Sequence, residues 1–298
     1  MFPMRAVKHW PQWSQGASLA DVARMVEQAG FEGFSMSEHP YPDKEWLAQG
    51  GHHAFDPFVS LSFAAAATTR IQVMTYILVS GYRSPYLTAK SAASLDLLSG
   101  GRFTLGTGAG YLKSEFDALH ADFGRRGALL DEAIDAWKAT WIGDEHRGPE
   151  FGVSDHIALP LPLTPGGPPV WIGGNSAAAQ RRVVEVADGW MPMAASGEMA
   201  TITRARPLED VGTLGEWIVD VNKRRAELGR GPADVSFVPF EASLLAGGDC
   251  GAFCSAVRPQ LATYAEAGVT WITIEPTSRS LSDFRVDVDT LASQLIHR

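Results

Sequence analysis

One stretch of the chain joins a predicted strand, a glycine-dense turn and a predicted helix. Residues 99–141 read SGGRFTLGTGAGYLKSEFDALHADFGRRGALLDEAIDAWKATW. The first glycines stop a helix, the apolar segment 102–105 follows as a strand, and the turn 106–110 leads into a helical pattern. Glycines in such a turn allow backbone angles closed to other residues and let a ligand approach the main chain. In α/β proteins, a strand end that opens into such a turn is where chemistry is usually placed.

The rest of the chain repeats this alternation of strand and helix. Eight strands are predicted, at residues 2–7, 31–36, 71–79, 102–105, 170–172, 189–193, 235–240 and 269–275. Such alternation predicts a parallel sheet with helices outside it, and a chain of 298 residues suits an eight-fold barrel. The alternative is a doubly wound open sheet, but eight strand–helix units are more than such a sheet usually contains. We therefore predict an α/β fold with a single (β/α)8 TIM barrel over residues 1–298.

The composition excludes several classes of protein. A net charge of −9 and a pI near 5.4 argue against nucleic acid and anionic membranes as partners. No apolar run reaches membrane-spanning length and the first residues lack the apolar run of a signal peptide, so we expect a cytoplasmic protein. Cys250 and Cys254 alone cannot form a disulfide framework or a four-ligand zinc site. We interpret both as small buried residues and predict no metal site.

Two glycine turns are candidates for binding a phosphate group. Gly106, Gly108 and Gly110 look like a dinucleotide fingerprint. The third glycine comes one residue too early, however, and the acidic ribose partner would fall inside a helix, so we reject that interpretation. Residues 173–176 precede an alanine-rich helix, whose N–H groups and dipole favour a phosphate. An ordinary N-cap with a tight turn explains these residues equally well, and the local sequence leaves both alternatives open.

Side chains that directly follow a predicted strand are also candidates for acid–base chemistry. Glu38 and His39 follow the second predicted strand, and an imidazole titrates near working pH. A solvated loop histidine is the equally weighted alternative for His39. His52 and His53 are weaker candidates because nothing fixes their direction. Charged residues on or near the helix after the glycine turn are interpreted as ion pairs that position the turn, namely Glu115, Arg125, Arg126 and Glu132.

The remaining strand ends are mostly apolar or aromatic. Thr75, Tyr76 and Ile77 lie towards the end of the third predicted strand, and Met193 ends the sixth. The sequence has no P-loop, no His-Glu-x-x-His and no convincing nucleophile elbow. An apolar, aromatic pocket with one phosphate anchor and one histidine suits a planar phosphorylated cofactor that supplies the chemistry.

A set of short motifs covers nearly the whole chain. Residues 99–132 contain SGGRFxLGxGxGY, EFxAL and RRGxxLDE. Around them lie GFEGF at 30–34, EH at 38–39, DPF at 56–58, YRSP at 82–85, WIGGNS at 171–176 and ADGW at 187–190. In this order, the motifs resemble the bacterial luciferase-like family of flavin- and deazaflavin-dependent oxidoreductases. The resemblance is weakest after about residue 206.

The resemblance implies a luciferase-like TIM barrel with an insertion after the fourth helix, at residues 142–169. It implies FMN or coenzyme F420 at the carboxyl ends of the strands, with His39 as proton donor or acceptor near the ring and Glu38 beside it. Tyr76 and Ile77 stand where members have a bulge, often with a cis non-proline bond, although Tyr76 replaces a commonly small residue. Residues 173–176 would meet the phosphate. The implied cofactor-binding residues other than Tyr76 and Ile77 are Thr75, Thr107, Gly108, Gly110, Gly173, Gly174, Asn175, Ser176 and Met193.

The overall pattern is most similar to the deazaflavin-using branch of the family. We therefore predict hydride transfer between coenzyme F420 and a small organic substrate. The enzymatic alternative is an FMN-dependent luciferase-like monooxygenase that uses reduced flavin and O2, and the non-enzymatic one is a protein that only binds or stores a flavin. The resemblance also implies two protein partners, a separate flavin or F420 reductase and a second copy of the chain in a homodimer.

Overall fold

The computed structural model describes residues 1–4, 11, 15–246 and 248–296, without the side chains of 198, 199 and 202. Strands and helices alternate along these residues. The strands are β1 (Gly33–Met36), β2 (Gln72–Thr75), β3 (Leu78–Val79), β4 (Phe103–Gly108), β5 (Val170–Gly173), β6 (Gly189–Met191), β7 (Asp234–Phe237) and β8 (Trp271–Ile272). Every strand pair described here is parallel, which confirms the predicted fold class.

The helices follow the strands in the order expected of an α/β protein. Short 3-10 turns at Ser80–Tyr82, Phe240–Ala242 and Arg258–Gln260 and a π-helical turn at Ala292–Ile296 accompany them. The α-helices are α1 (Gly16–Gln28), α2 (Lys44–Ala48), α3 (Pro57–Ala67), α4 (Pro85–Ser99), α5 (Lys113–Ala118), α6 (Arg126–Trp141), α7 (Ala177–Glu185), α8 (Gly197–Thr203), α9 (Val211–Glu227), α10 (Ser243–Ala246), α11 (Cys250–Val257), α12 (Leu261–Glu266) and α13 (Leu281–Leu291).

The described residues form two compact units. One contains residues 35–170, in which β2 and β3 both pair with β4. The other contains residues 1–34 and 171–298, in which β5, β6, β7 and β8 pair in that order. The single-domain boundary of the sequence analysis stays a prediction. None of the helices in the described residues is both long and apolar enough to cross a membrane.

Several predicted strands differ from the structure. β4 continues to Gly108, through part of the predicted glycine turn, and the eighth strand covers only Trp271–Ile272. The third is interrupted: β2 ends at Thr75 and β3 begins at Leu78, and the peptide bond between Tyr76 and Ile77 is cis. This is the cis bond that the family resemblance implies at these residues. The first predicted strand, 2–7, falls partly on residues 5–7, which lie outside the described residues, while 2–4 contain no strand. Phe2 and Met4 are nevertheless fully buried.

Helices α3 and α4 begin and end where their sequences predict. Each has a proline in its first turn, where the missing N–H has no partner to lose. The Asp56 side chain caps α3 by accepting hydrogen bonds from the N–H groups of Phe58 and Val59 at 2.9 and 3.0 Å. Gly100 ends α4 in the left-handed conformation, at a φ of 75°. These two helices pack against each other beside β2 and β4.

Arg102, the residue before β4, binds backbone groups at the ends of both helices. Its Nε donates to the Ser99 carbonyl at 2.7 Å, Nη1 to the Ile71 carbonyl at 2.8 Å and Nη2 to the Ala65 carbonyl at 2.9 Å. Nη1 and Nη2 also reach the hydroxyl and carbonyl of Thr68. A planar guanidinium suits this site because its donors form a rigid fork directed at several acceptors.

We expect Arg102→Lys to lower the free energy of unfolding by about 2 kcal/mol, because an ammonium group cannot satisfy these separated carbonyls. Urea denaturation measures the change. Arg24→Lys is the matched control, since Arg24 is half exposed and, among the described residues, pairs only with Asp21 across one helical turn. This substitution should change the free energy by less than about 0.5 kcal/mol. Equal effects of the two substitutions would contradict this role.

Residues 142–169 contain no helix and no strand, all of them lying in the described part of the chain. Side chains of the neighbouring helices hold this segment instead. Glu132 of α6 accepts hydrogen bonds from the Glu150 and Phe151 N–H groups at 2.9 and 2.8 Å, and Asp96 of α4 accepts from the Thr164 N–H and hydroxyl, both at 2.8 Å. Whether the segment is an insertion within the family stays a prediction.

Candidate active site

The glycine turn after β4 is packed tightly within its own unit. An added Cβ at Gly110 would lie 2.6 Å from Val79 Cγ1 and 2.8 Å from Phe116, and Gly110 has a φ of 81°. Packing and backbone angle therefore both require glycine there. Arg126 Nε donates to the Gly110 carbonyl at 3.1 Å, so this arginine does position the turn as expected. The ring-lining role of Gly108 and Gly110 stays a prediction.

Two threonines at the carboxyl ends of β2 and β4 are fully buried. Thr75 Oγ1 donates to the Gly106 carbonyl at 2.6 Å, and Thr107 Oγ1 donates to the Leu78 carbonyl at 3.0 Å. Both hydroxyl protons are therefore used to join neighbouring strands around the cis bond. A bound ring at this edge would meet the backbone and methyl groups of these residues rather than a free hydroxyl donor.

Glu38 follows β1 and is almost completely buried. One carboxylate oxygen accepts the Val79 N–H at 2.6 Å, and the other contacts the Arg83 guanidinium, which also reaches Asp56 at 3.2 Å. Burial raises the pKa of Glu38 to about 7, against the opposing effects of Arg83 and the Val79 N–H. Glu38 thus joins β1 to the turn after β3, and its carboxyl group titrates near neutrality.

His39 is the next residue and has a different environment. Its Nδ1 lies 3.1 Å from Glu115 Oε2, and its side chain is 9% exposed. The imidazole centroid lies 4.5 Å from that of the Trp46 ring, 4.9 Å from that of His52 and 6.3 Å from that of Tyr111. A histidine whose one nitrogen is held by a carboxylate and whose ring is enclosed by aromatic groups has one nitrogen left for proton exchange. The solvated-loop alternative for His39 is therefore wrong.

Glu115, on α5, was interpreted as an ion-pairing residue that positions the glycine turn, and this interpretation is wrong. Its side chain is fully buried, and its partners are His39, the Tyr82 hydroxyl at 3.0 Å and the Tyr41 N–H at 2.8 Å. His39 and Glu115 are 76 positions apart, so no local pattern joins them. Trp46, on α2, is a further neighbour of His39 that no pattern in the sequence indicated.

The turn after β5 lies in the other unit and is a good phosphate-binding candidate. Gly174 has a φ of 101°, and an added Cβ would meet no atom within 4 Å, so the space beside it is open. Ser176 Oγ accepts the Ala179 N–H at 3.1 Å as the N-cap of α7 and keeps its own proton to donate. The N–H groups of Ala177 and Ala178 have no partner inside the helix. This turn therefore fits a phosphate group.

Asn175 and Met193 have a supporting role in this turn. The Asn175 side chain is fully buried; its Nδ2 donates to the Met193 and Arg206 carbonyls at 2.8 and 3.1 Å, and its Oδ1 accepts the Met193 N–H at 3.0 Å. Trp190 Nε1 donates to the Gly174 carbonyl at 2.9 Å. Because both amide protons of Asn175 are used, this residue shapes the turn, and Ser176 and the backbone are left to contact an anion.

Cys250 and Cys254 are buried on α11, as expected, and burial raises the pKa of both thiols, that of Cys250 to about 12. They are therefore inert small residues. No group of histidine, cysteine and acidic side chains among the described residues could hold a metal ion.

A buried histidine–carboxylate pair in one unit, and a turn that fits a phosphate group in the other, both at the ends of parallel strands, are typical of α/β enzymes that bind a phosphorylated cofactor. Residues 6–264 match the family described as luciferase-like monooxygenase. The chain belongs to this family, as the sequence motifs indicated.

Relatives and solved structures agree with this assignment. An uncharacterised Mycobacterium tuberculosis protein is 30% identical over 184 residues, which cover 57% of this chain and 63% of that protein. The F420-dependent glucose-6-phosphate dehydrogenase of Nocardia farcinica is 27% identical over 186 residues, covering 60% of this chain and 54% of the relative. The monooxygenase RslO1 of Streptomyces bottropensis has a TM-score of 0.76 at 16% identity, covering 99% and 98% of the two chains. This last likeness shows the fold, that of luciferase-like TIM barrels.

Proposed function

We propose that this protein is a cytoplasmic oxidoreductase that uses coenzyme F420 for hydride transfer to or from a small organic substrate, with His39 exchanging the proton. The observation that carries the proposal is the buried pair of His39 and Glu115, enclosed by Trp46, His52 and Tyr111. A histidine held in this way suits proton transfer better than structural support. The similarity to an F420-dependent dehydrogenase supports the choice of cofactor.

The described residues fit such a cofactor. When bound, the deazaflavin would supply or accept the hydride. Within residues 35–170, the residues proposed to contact its ring are 75–77, Thr107, Gly108 and Gly110. Within the other unit, Gly174, Ser176 and the first N–H groups of α7 would hold a phosphate group. A carbonyl or alkene substrate that gains a hydride also needs one proton, which His39 Nε2 would donate. In the opposite direction, Nε2 would take the proton from the substrate hydroxyl as the hydride leaves.

The second candidate is an FMN-dependent monooxygenase that uses reduced flavin and O2. The likeness in fold to the Streptomyces monooxygenase favours it, and the turn that fits the phosphate of one cofactor fits that of the other. A protein that binds or stores a flavin without catalysis would not need the buried imidazole–carboxylate pair. We also propose a separate cofactor reductase and a homodimer as partners.

An oxygen-free assay distinguishes the two enzymatic candidates. We expect the protein to oxidise reduced F420 with a panel of small ketones, aldehydes and activated alkenes when oxygen is excluded. The matched reaction supplies reduced FMN with and without oxygen. Turnover that occurs only with reduced FMN and oxygen would contradict the proposal and establish the monooxygenase.

A further inference from the structure

Glu115 satisfies its buried carboxylate in an unusual way. Oε1 accepts the Tyr41 N–H at 2.8 Å, while Oε2 lies 3.0 Å from the Tyr82 hydroxyl and 3.1 Å from His39 Nδ1. Within the described residues, it forms no ion pair with a lysine or arginine. A fully buried carboxylate normally needs a charged partner or several hydrogen-bond donors, and here two neutral donors and the imidazole fulfil that need.

These contacts determine where the proton of His39 resides. A backbone N–H can only donate, and burial together with Glu115 raises the pKa of Tyr82, so its hydroxyl stays protonated and donates as well. A carboxylate oxygen can only accept. The contact between Glu115 and His39 therefore requires the hydrogen to lie on Nδ1, which leaves Nε2 as the nitrogen that gains or loses a proton.

The carboxylate also reaches the segment in front of His39. Tyr41, whose N–H donates to Glu115, begins segment 41–56. Ser114, the neighbour of Glu115 on α5, donates to Asp43, the N-cap of α2, at 2.5 Å. Trp46 of α2 packs on the imidazole. One end of α5 therefore holds both the imidazole and the segment that covers one side of its ring.

We propose that Glu115 is a positioning residue that fixes the Nδ1–H tautomer of His39 and, through Tyr41, the placement of the ring. The proposal rests on the proposed function of His39. When Nε2 takes a proton, the imidazole becomes a cation beside the Glu115 carboxylate, and when Nε2 gives it up, the Nδ1–H bond to Glu115 remains. In the described part of the chain, the other titratable groups that face the imidazole are His52 and Tyr111, with Tyr82 behind Glu115.

Nitrogen-15 NMR of the cofactor-free protein, labelled at histidine, tests this tautomer directly. The signals that are present in the wild-type spectrum and absent from that of His39→Gln belong to His39. At high pH, these signals should show a proton on Nδ1 and none on Nε2. In Glu115→Gln, the amide can donate to Nδ1, so the signals should change to the Nε2–H tautomer. Finding Nε2–H in the wild-type protein would overturn the proposal, and this result needs no variant of Glu115 to fold.

Kinetics give a second readout that a merely structural residue would not change. We expect Glu115→Gln to lower kcat by about 100-fold with little change in KM. The limb of the pH–rate profile that reports imidazole protonation should move to lower pH, because an amide stabilises the imidazolium cation less than a carboxylate does. Tyr82→Phe is the matched control; it removes one donor but keeps the carboxylate, so its profile should stay in place. An unchanged profile in Glu115→Gln would overturn the proposal. If His39→Gln proves fully active while the NMR result holds, the proposed function fails and the tautomer assignment stands.

Discussion

His39→Gln is expected to lose between about 100-fold and about 10,000-fold in kcat, the range for removing a positioned general acid or base. Glutamine keeps a polar side chain of similar length and can still donate to Glu115, so the buried carboxylate stays satisfied. It cannot carry a proton to the substrate. Steady-state kinetics with the cofactor at saturation measures the loss, and cofactor titration should give an affinity within about threefold of wild type, or about 0.7 kcal/mol.

His156→Gln is the matched control for this substitution. His156 is exposed and contacts only the Ser154 carbonyl two residues away, at 2.6 Å, among the described residues. Its replacement should leave kcat, KM and cofactor affinity unchanged. Full activity of His39→Gln with normal cofactor binding would contradict the acid–base role and would favour a protein that only binds a flavin.

Gly174→Val is expected to weaken the binding of a phosphorylated cofactor by about 100-fold, or about 2.7 kcal/mol. Two effects act together at this position. A β-branched residue rarely adopts a φ of 101°, so the turn must change its backbone angles. In addition, the new side chain would occupy the open space beside the N-terminus of α7, where we place the phosphate. Fluorescence titration of wild type and variant measures the change.

Two comparisons separate phosphate binding from general damage. Gly166→Val is the matched control, because Gly166 has a φ of 81° with nothing within 4 Å and lies in segment 142–169; it should lose stability without losing cofactor affinity. The phosphate-free deazaflavin should bind wild type and Gly174→Val about equally. If the variant weakens both ligands to the same extent, the turn does not hold the phosphate.

Local signals were sufficient to predict most of the fold. Proline at the start of α3 and α4, and glycine after α4, correspond to helix ends in the structure because these residues act through their own backbone angles. The division of the third predicted strand into β2 and β3 was not foreseen, because the apolar run 71–79 continues across the break. Residues 142–169 are ordered by Asp96 and Glu132, whose partners lie far along the chain, so the segment's own composition was uninformative.

Only part of the candidate site could be predicted from the sequence, because some of its contacts join residues that are far apart in the chain. His39 and the turn at Gly174 could be predicted because both follow a strand, and ligands bind at the carboxyl ends of parallel strands. Glu115 could not be assigned to His39, since a short helix presents its carboxylate to a residue 76 positions earlier. A glutamate next to the fully buried Phe116 is a weak signal that its side chain faces inward. Asn175 was expected to meet the phosphate, but its amide is used within the turn.

The identity of the cofactor tests the central claim most directly. Parallel fluorescence titrations of the cofactor-free protein with oxidised F420 and with FMN, in the same buffer, measure both affinities. The proposed hydride transfer predicts that F420 binds at least about tenfold more tightly than FMN, a difference of about 1.4 kcal/mol. Tight binding of FMN with no binding of F420 would contradict the claim and make the protein a flavin-dependent monooxygenase.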